Sequence, residues 1–220
     1  RVLQVSNDLA GERAFVNELI LSSPEEKESR WQALVAHRDI TDRDMQKIPK
    51  NLLSPALMGE MMQQLERSRR IADRFRTQVL SDPQSADLAI HDMVVATDFY
   101  HKALFERTTE FLLLEPSALG PILRAQALGE LRDATGRLGS QVLIPLATHT
   151  PIPRANREGL IRGIERINTA WWLLQTQGNE ATYLPHFQKT LENTRRDFEH
   201  QGIALINQLS AESDSGKPYS

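Results

Sequence analysis

The chain has 220 residues, enough for one domain or for two small units that share a core. It is 40% hydrophobic and 25% charged, a globular rather than a disordered composition, and its formal charge of -3 offers no basic field for nucleic acid. Zero cysteines exclude a disulfide scaffold, thiolate catalysis and a zinc–thiolate site, and no run approaches the ~18 apolar residues of a membrane span.

Apolar residues recur at three- and four-residue steps almost throughout, with no sustained alternation, so the pattern predicts helices from end to end. The first covers about 2–22 and stops at Ser22-Ser23-Pro24. Ser23-Pro24-Glu25-Glu26 combines a capping box with a proline in the first turn, which starts a second helix running to about Ile48. Ser54-Pro55 repeats that signal for a third, about 55–80, and Asp82-Pro83 opens a fourth, about 84–114. A fifth, about 117–148, carries expected bends at Pro121 and Pro145. Pro151-Ile152-Pro153 leads into a sixth, about 154–177, and Gly178-Asn179 separates it from a seventh, about 180–211. The tail from Ser213 to Ser220 reads as a polar linker. Helices of ~25–32 residues span roughly 38–48 Å. On short connections they specify an all-α protein of long antiparallel bundles.

An internal repeat organises these helices. Ala10-Gly11-Glu12-Arg13 in the first is echoed by Ala134-Thr135-Gly136-Arg137 in the fifth, Leu34-Val35 by Leu160-Ile161, and Leu65-Glu66-Arg67-Ser68-Arg69-Arg70 by Leu191-Glu192-Asn193-Thr194-Arg195-Arg196. From Arg13 to Arg137 the offset is 124 residues and from Arg69 to Arg195 it is 126. A duplication predicts two stacked or fused four-helix bundles, over 1–115 and 116–212, followed by the linker 213–220. The second would show only three helices, so an eighth is expected beyond a truncated end, and both ends read as cut from a longer protein.

Residues that could carry chemistry are few. Six histidines are scattered, with no HExxH and no repeated Glu-x-x-His pair, so neither a metal nor another cofactor is expected. His101 shares a stripe with Val94, Leu104 and Phe111 and reads as a core or boundary histidine. Gly136-Arg137-Leu138-Gly139 is helical in context rather than a phosphate loop, and Trp31, Trp171 and Trp172 read as packing. No nucleophile–base pair is legible, so the chain is not expected to be an enzyme.

The arginines are more informative. In the third helix the core register reads Met58, Met61, Leu65, Ser68, Ala72, Phe75, Val79. In the seventh it reads Leu184, Phe187, Leu191, Thr194, Phe198, with Leu205 further on. Each places a hydroxyl in the apolar seam with Arg69 or Arg195 beside it, while Arg13 and Arg137 stand at the seam edges of the first and fifth helices. A guanidinium at a seam needs an anionic partner. That partner is either an internal carboxylate such as Glu12, Glu66 or Glu192, or a bound small anion held in fork geometry.

Through Gly11-Glu12-Arg13 and its echo Gly136-Arg137, the chain resembles the nitrate- and nitrite-sensing domains of bacterial receptors, with Ala14 where that family has Gly. The resemblance implies two stacked four-helix bundles forming the periplasmic part of an inner-membrane signal transducer, whether chemoreceptor, histidine kinase or diguanylate cyclase, with a cytoplasmic setting as the alternative. It implies a small anionic ligand, nitrate, nitrite or a short carboxylate, at Arg13 with Arg137, Arg69 or Arg195. A membrane-anchored parent and a homodimer go with it, and no nucleic-acid partner. The other class of reading is a structural or protein-interaction bundle without a small ligand.

Overall fold

The computed structural model describes residues 2–48, 54–78, 83–114, 119–176, 185–215 and 219, with the side chains of 2–3, 103–114, 119 and 185–187 outside that description. Every regular element among the described residues is helical: α1 (Val2–Leu21), α2 (Lys27–Met45), α3 (Pro55–Arg74), α4 (Pro83–Leu114), α5 (Leu119–Thr148), α6 (Arg154–Thr176) and α7 (Pro185–Asp197). α7 continues through a π-helical turn (Phe198–Gly202) into α8 (Ile203–Ser215), so the described helices make seven rods. Arg1–Leu119 and Gly120–Ser220 form two compact units.

The proline-marked starts act through their caps. Ser54 Oγ accepts from the Leu57 amide at 3.2 Å with Pro55 at the first helical position. Glu26 reaches back to the Ser23 amide and hydroxyl at 3.4 and 3.2 Å, the capping-box contact, although Pro24–Glu26 form a turn and α2 itself begins at Lys27. α2 and α3 end earlier than their apolar patterns, at Met45 and Arg74, because Ile48 and Phe75 are buried from the turns that follow. Pro145 lies inside α5 and cannot donate to the Gln141 carbonyl, where Asn156 Nδ2 donates instead at 2.8 Å.

In the first unit α1 packs on α2, α3 and α4, and α3 on α4. Contacts Asp8–His37, Glu12–Arg38 and Glu18–Arg30 run antiparallel along α1 and α2. Asp42–Arg69, Arg38–Asp73 and Glu28–Arg76 do the same along α2 and α3. Gly11 lets α1 and α2 close: a Cβ there would stand 2.6 Å from His37 Nε2, which is hydrogen-bonded to the Asp8 carbonyl. The core holds Val5, Leu9, Val16, Leu34, Met61, Leu65, Ala72, Phe75, Met93 and Tyr100, with Met61 to Phe75 in the register read from the sequence. Met58 is half-buried, and Val79 lies outside the described residues.

In the second unit α5 and α6 run antiparallel, meeting at Leu138–Gly163, Gln141–Gly159 and Glu130–Arg166. Ala127, Ala134, Leu138, Leu160, Ile167, Trp171 and Leu174 form its core, with Leu191, Phe198 and Ile206 packed against it. The π turn corrects one expectation. A strict seven-residue step after Leu191 and Phe198 points to Leu205, but the wider turn advances the phase by one residue. Ile206 therefore faces the core, and Leu205 is exposed. Leu184 and the Phe187 side chain lie outside the described residues. The expected linker is also corrected. Ser213 to Ser215 are helical, Ser213 Oγ accepts from the Ile152 amide at 2.8 Å, and Tyr219 donates to the Thr150 carbonyl at 2.7 Å.

Candidate functional site

The apolar stripes that build the first bundle are each interrupted by charge at one level. On α1 the inward positions are Val5, Leu9, Glu12, Val16 and Leu19, so helical spacing alone carries Glu12 into the seam at 0% exposure. On α2 they are Leu34, Arg38, Thr41 and Met45. On α3 Ser68 occupies the seam, donating to the Ala89 carbonyl at 2.7 Å, and Arg69 stands beside it.

These residues form one ionic network. Arg69 grips Glu12 in fork geometry, Nε to Oε1 at 2.7 Å and Nη2 to Oε2 at 2.8 Å. Its third nitrogen donates to both Asp42 oxygens, at 2.8 and 3.1 Å. Arg38 donates through Nε to Glu12 at 3.3 Å and through Nη1 to Asp73 at 2.6 Å, while Nη2 lies 3.4 Å from the Arg69 carbonyl oxygen. Burial works against the Arg69 charge, but the hydrogen bonds and charges of Glu12 and Asp42 outweigh it and push its pKa up. The two arginines thus share a buried carboxylate inside the bundle. Outside, each holds a carboxylate that is nearly half exposed, Asp42 at 44% and Asp73 at 45% of the side chain. The Trp31 ring lies 5.4 Å from both the Arg38 and the Arg76 guanidinium carbons.

Arg13, the next residue after Glu12, is 2% exposed and engaged in contacts of its own. Arg137 in the second unit is buried and donates to Asp133 on its own helix at 2.6 Å. Arg195 is not in a seam. Its side chain is 37% exposed and pairs with Glu199 one turn on, at 2.7 Å, and neighbouring Thr194 is exposed. α7 turns Leu191 and Phe198 inward, and Thr194 and Arg195 flank that line. The structure therefore joins Arg69 to Glu12 beside Arg13, and puts Arg137 and Arg195 in local pairs within the other unit. Arg38, which sequence reasoning missed, is the second arm of the network. The Leu34–Arg38–Thr41–Met45 spacing was the available signal.

Two further polar contacts are buried in the first unit. Lys27 Nζ caps the end of α1, donating to the Leu19 and Ile20 carbonyls at 2.6 and 3.3 Å, and burial pushes its pKa down. Ser6 Oγ and His101 Nε2 lie 2.5 Å apart, a serine–histidine contact formed between α1 and α4 that the sequence did not disclose. Ser6 is buried, so this contact ties the helices rather than presenting a hydroxyl to a substrate. The Leu104 and Phe111 side chains, expected on the same stripe, lie outside the described residues. Trp171 is in the core, and Trp172 is exposed.

Among the described residues there is no cluster able to hold a metal ion and no helix long and apolar enough to cross a membrane. No protein-family model, curated protein or solved structure matches the chain.

Proposed function

We propose that the chain is a helical sensor module, the extracytoplasmic part of a bacterial transmembrane signal transducer, and that its first bundle responds to a small anion. The observation that carries this reading is the double attachment of Arg38 and Arg69, each to buried Glu12 and to a solvent-facing carboxylate. A nitrate, nitrite or short carboxylate arriving from solvent competes with Asp42 and Asp73 for the outer guanidinium arms, leaving Glu12 to hold the inner ones. Asp42–Arg69 and Arg38–Asp73 are reciprocal ties between α2 and α3, so their exchange for a shared ligand frees one helix to move against the other. Packed helices convert such small shifts into discrete rearrangements. The resemblance through Gly11-Glu12-Arg13 supports the same place, since Gly11 sets the α1–α2 approach and Glu12 anchors the network.

The second reading, a structural or protein-interaction bundle, is favoured by the fact that Arg38, Arg69, Arg137 and Arg195 each already hold an internal carboxylate. Thermal-shift titration with nitrate, nitrite, acetate, citrate and chloride separates the two. A binding anion at a hundred times its Kd adds about 2.7 kcal/mol, or several degrees. Arg69→Gln and Arg38→Gln abolish that rise while Arg195→Gln keeps it. Arg13→Ala tests the residue the sequence resemblance favours. No anion-dependent rise in the wild type overturns the sensor reading and leaves the interaction bundle.

A further inference from the structure

The two ties between α2 and α3 are made by residues that stand one helical turn apart. On α2 Arg38 precedes Asp42 by four positions, and on α3 Arg69 precedes Asp73 by four. Since the helices run antiparallel, these four residues mark the corners of a square, and every side of it joins opposite charges. Two sides cross between the helices, Arg38–Asp73 at 2.6 Å and Arg69–Asp42 at 2.8 Å. The other two, Arg38–Asp42 and Arg69–Asp73, run along a helix at the i,i+4 spacing that brings Cβ atoms to about 5–6 Å. The same step with arginine first closes elsewhere in this chain, as Arg154–Glu158 at 3.0 Å and Arg195–Glu199 at 2.7 Å. Each carboxylate thus has a second arginine within reach of a rotamer change, and Asp42 and Asp73 are both nearly half exposed, with room to turn. The crossed pairing holds at rest because base before acid is the weaker order along a helix. Inside the bundle Glu12 grips the inner arms of both arginines, which fixes the two corners that do not move.

We infer, resting on the anion reading of this site, that the square is a relay through which one anion on a single outer arm breaks both ties. An anion that takes Nη1 of Arg69 displaces Asp42, which turns along α2 to Arg38 and releases Asp73 to water. Entry at Nη1 of Arg38 runs the exchange the other way, through Asp73 to Arg69, and releases Asp42. Side chains change partners and no bond or proton moves. Each guanidinium stays paired throughout, and the one carboxylate left over is a side chain that solvent already reaches, so no buried charge is orphaned. The square therefore has two arrangements that satisfy both arginines, one tying α2 to α3 and one leaving each helix paired with itself. Such a two-state element is what a ligand needs in order to convert occupancy into helix movement.

The experiment separates binding from movement. The native chain has no cysteine, so Ala36→Cys on α2 and Arg70→Cys on α3, both exposed, carry spin labels whose separation is read by pulsed electron paramagnetic resonance. Nitrate, then acetate, is titrated at constant ionic strength, and calorimetry on the unlabelled chain counts the anions bound, with one per chain expected. In the otherwise native background the anion should shift the label separation to that of the Asp42→Asn/Asp73→Asn double variant, which lacks both ties and is open without anion. Asp42→Asn and Asp73→Asn singly each free one arm and keep one tie. Each should bind the anion about tenfold more tightly, because no carboxylate has to be displaced, yet leave the labels where they were, because the relay has lost a member. Both changes are at nearly half-exposed side chains, and circular dichroism checks the fold. A single variant whose labels move with anion as far as the native pair's shows direct displacement of each carboxylate and overturns the relay. A stoichiometry of two, or binding without movement in the native background, overturns it as well while leaving anion binding in place. No anion binding by the native chain in calorimetry and thermal shift overturns the anion reading itself, and the relay with it.

Discussion

Replacing Glu12 by Gln keeps the shape of the side chain and removes the one charge that faces two arginines inside the bundle. Breaking a fully buried ion pair by deleting one partner costs ~3–5 kcal/mol, because the surviving charge stays desolvated. Here two guanidinia survive, but Asp42 and Asp73 still hold their outer arms, so the cost belongs at the lower end, about 3 kcal/mol. For a unit of this size each kcal/mol moves the midpoint by about 3–5 °C, which predicts a fall of roughly 10 °C. Differential scanning calorimetry, with urea unfolding as a second measure, reads it. The companion variant is Glu12→Leu with Arg38→Met and Arg69→Met, an apolar replacement of the whole cluster, which is expected within about 1 kcal/mol of wild type or above it. A loss under about 1 kcal/mol for Glu12→Gln would show that the network is not desolvated. A triple variant as unstable as the single one would show that the cluster sustains the bundle rather than standing ready to be rearranged.

Burial pushes the Asp92 carboxyl above its ordinary 3.8 despite the pull of Arg67 at 2.9 Å. The folded state then binds the proton more tightly than the unfolded one, so stability is fully present below pH 3.8 and is lost as pH rises through the folded pKa. Asp92→Asn should therefore gain on the wild type between pH 3.8 and neutrality, and a gap in urea midpoints that narrows with rising pH refutes this. Gly11→Ala drives a methyl against His37 and should cost ~1–3 kcal/mol, whereas Gly139→Ala, with open space around its new Cβ, should gain up to ~1 kcal/mol. Equal effects at the two sites in chemical denaturation would remove steric closure as the role of Gly11. His149 follows α5 with φ at 51°, a left-handed position that favours glycine, so His149→Gly should raise stability by ~0.5–1 kcal/mol. A lower urea midpoint would contradict that.

Helical class, the order of the rods and most of their starts are legible in the sequence because periodicity and proline-marked caps act within a few residues. Ser54-Pro55 is read and found within one turn. Ends are less legible: Phe75 continues the apolar stripe of α3 yet is buried from a turn, and periodicity cannot distinguish the two. The π turn at Phe198–Gly202 is invisible to any fixed period, and it alone decides that Ile206 rather than Leu205 faces the core. At the candidate site the sequence points to Arg69 and Glu12 because each interrupts or borders an apolar stripe. It does not point to Ser6 and His101, since a contact spanning 95 residues depends on how α1 and α4 pack.

The internal repeat carries the same lesson into function. Aligned by its own offsets of 124 and 126 residues, the second half places Gly136 opposite Glu12, Ile164 opposite Arg38 and Asn168 opposite Asp42. In that alignment Arg195 stands opposite Arg69 with no carboxylate at the positions of Glu12 and Asp42, and it pairs with Glu199 one turn along its own rod. Arg137 likewise uses Asp133 on α5, at the position of Leu9 in the first half. Similar arginines therefore do different things: Arg69 ties α3 to α1 and α2, while Arg195 pairs with Glu199 one turn along its own rod and Arg137 holds Asp133 on its own helix. The exposed i,i+4 pair of Arg195 is worth ~0.3–0.5 kcal/mol. Arg195→Gln should accordingly leave the melting temperature within about 2 °C of wild type, while Arg69→Gln lowers it severalfold more. Comparable losses in the two variants would mean that the second unit uses its arginine between helices after all.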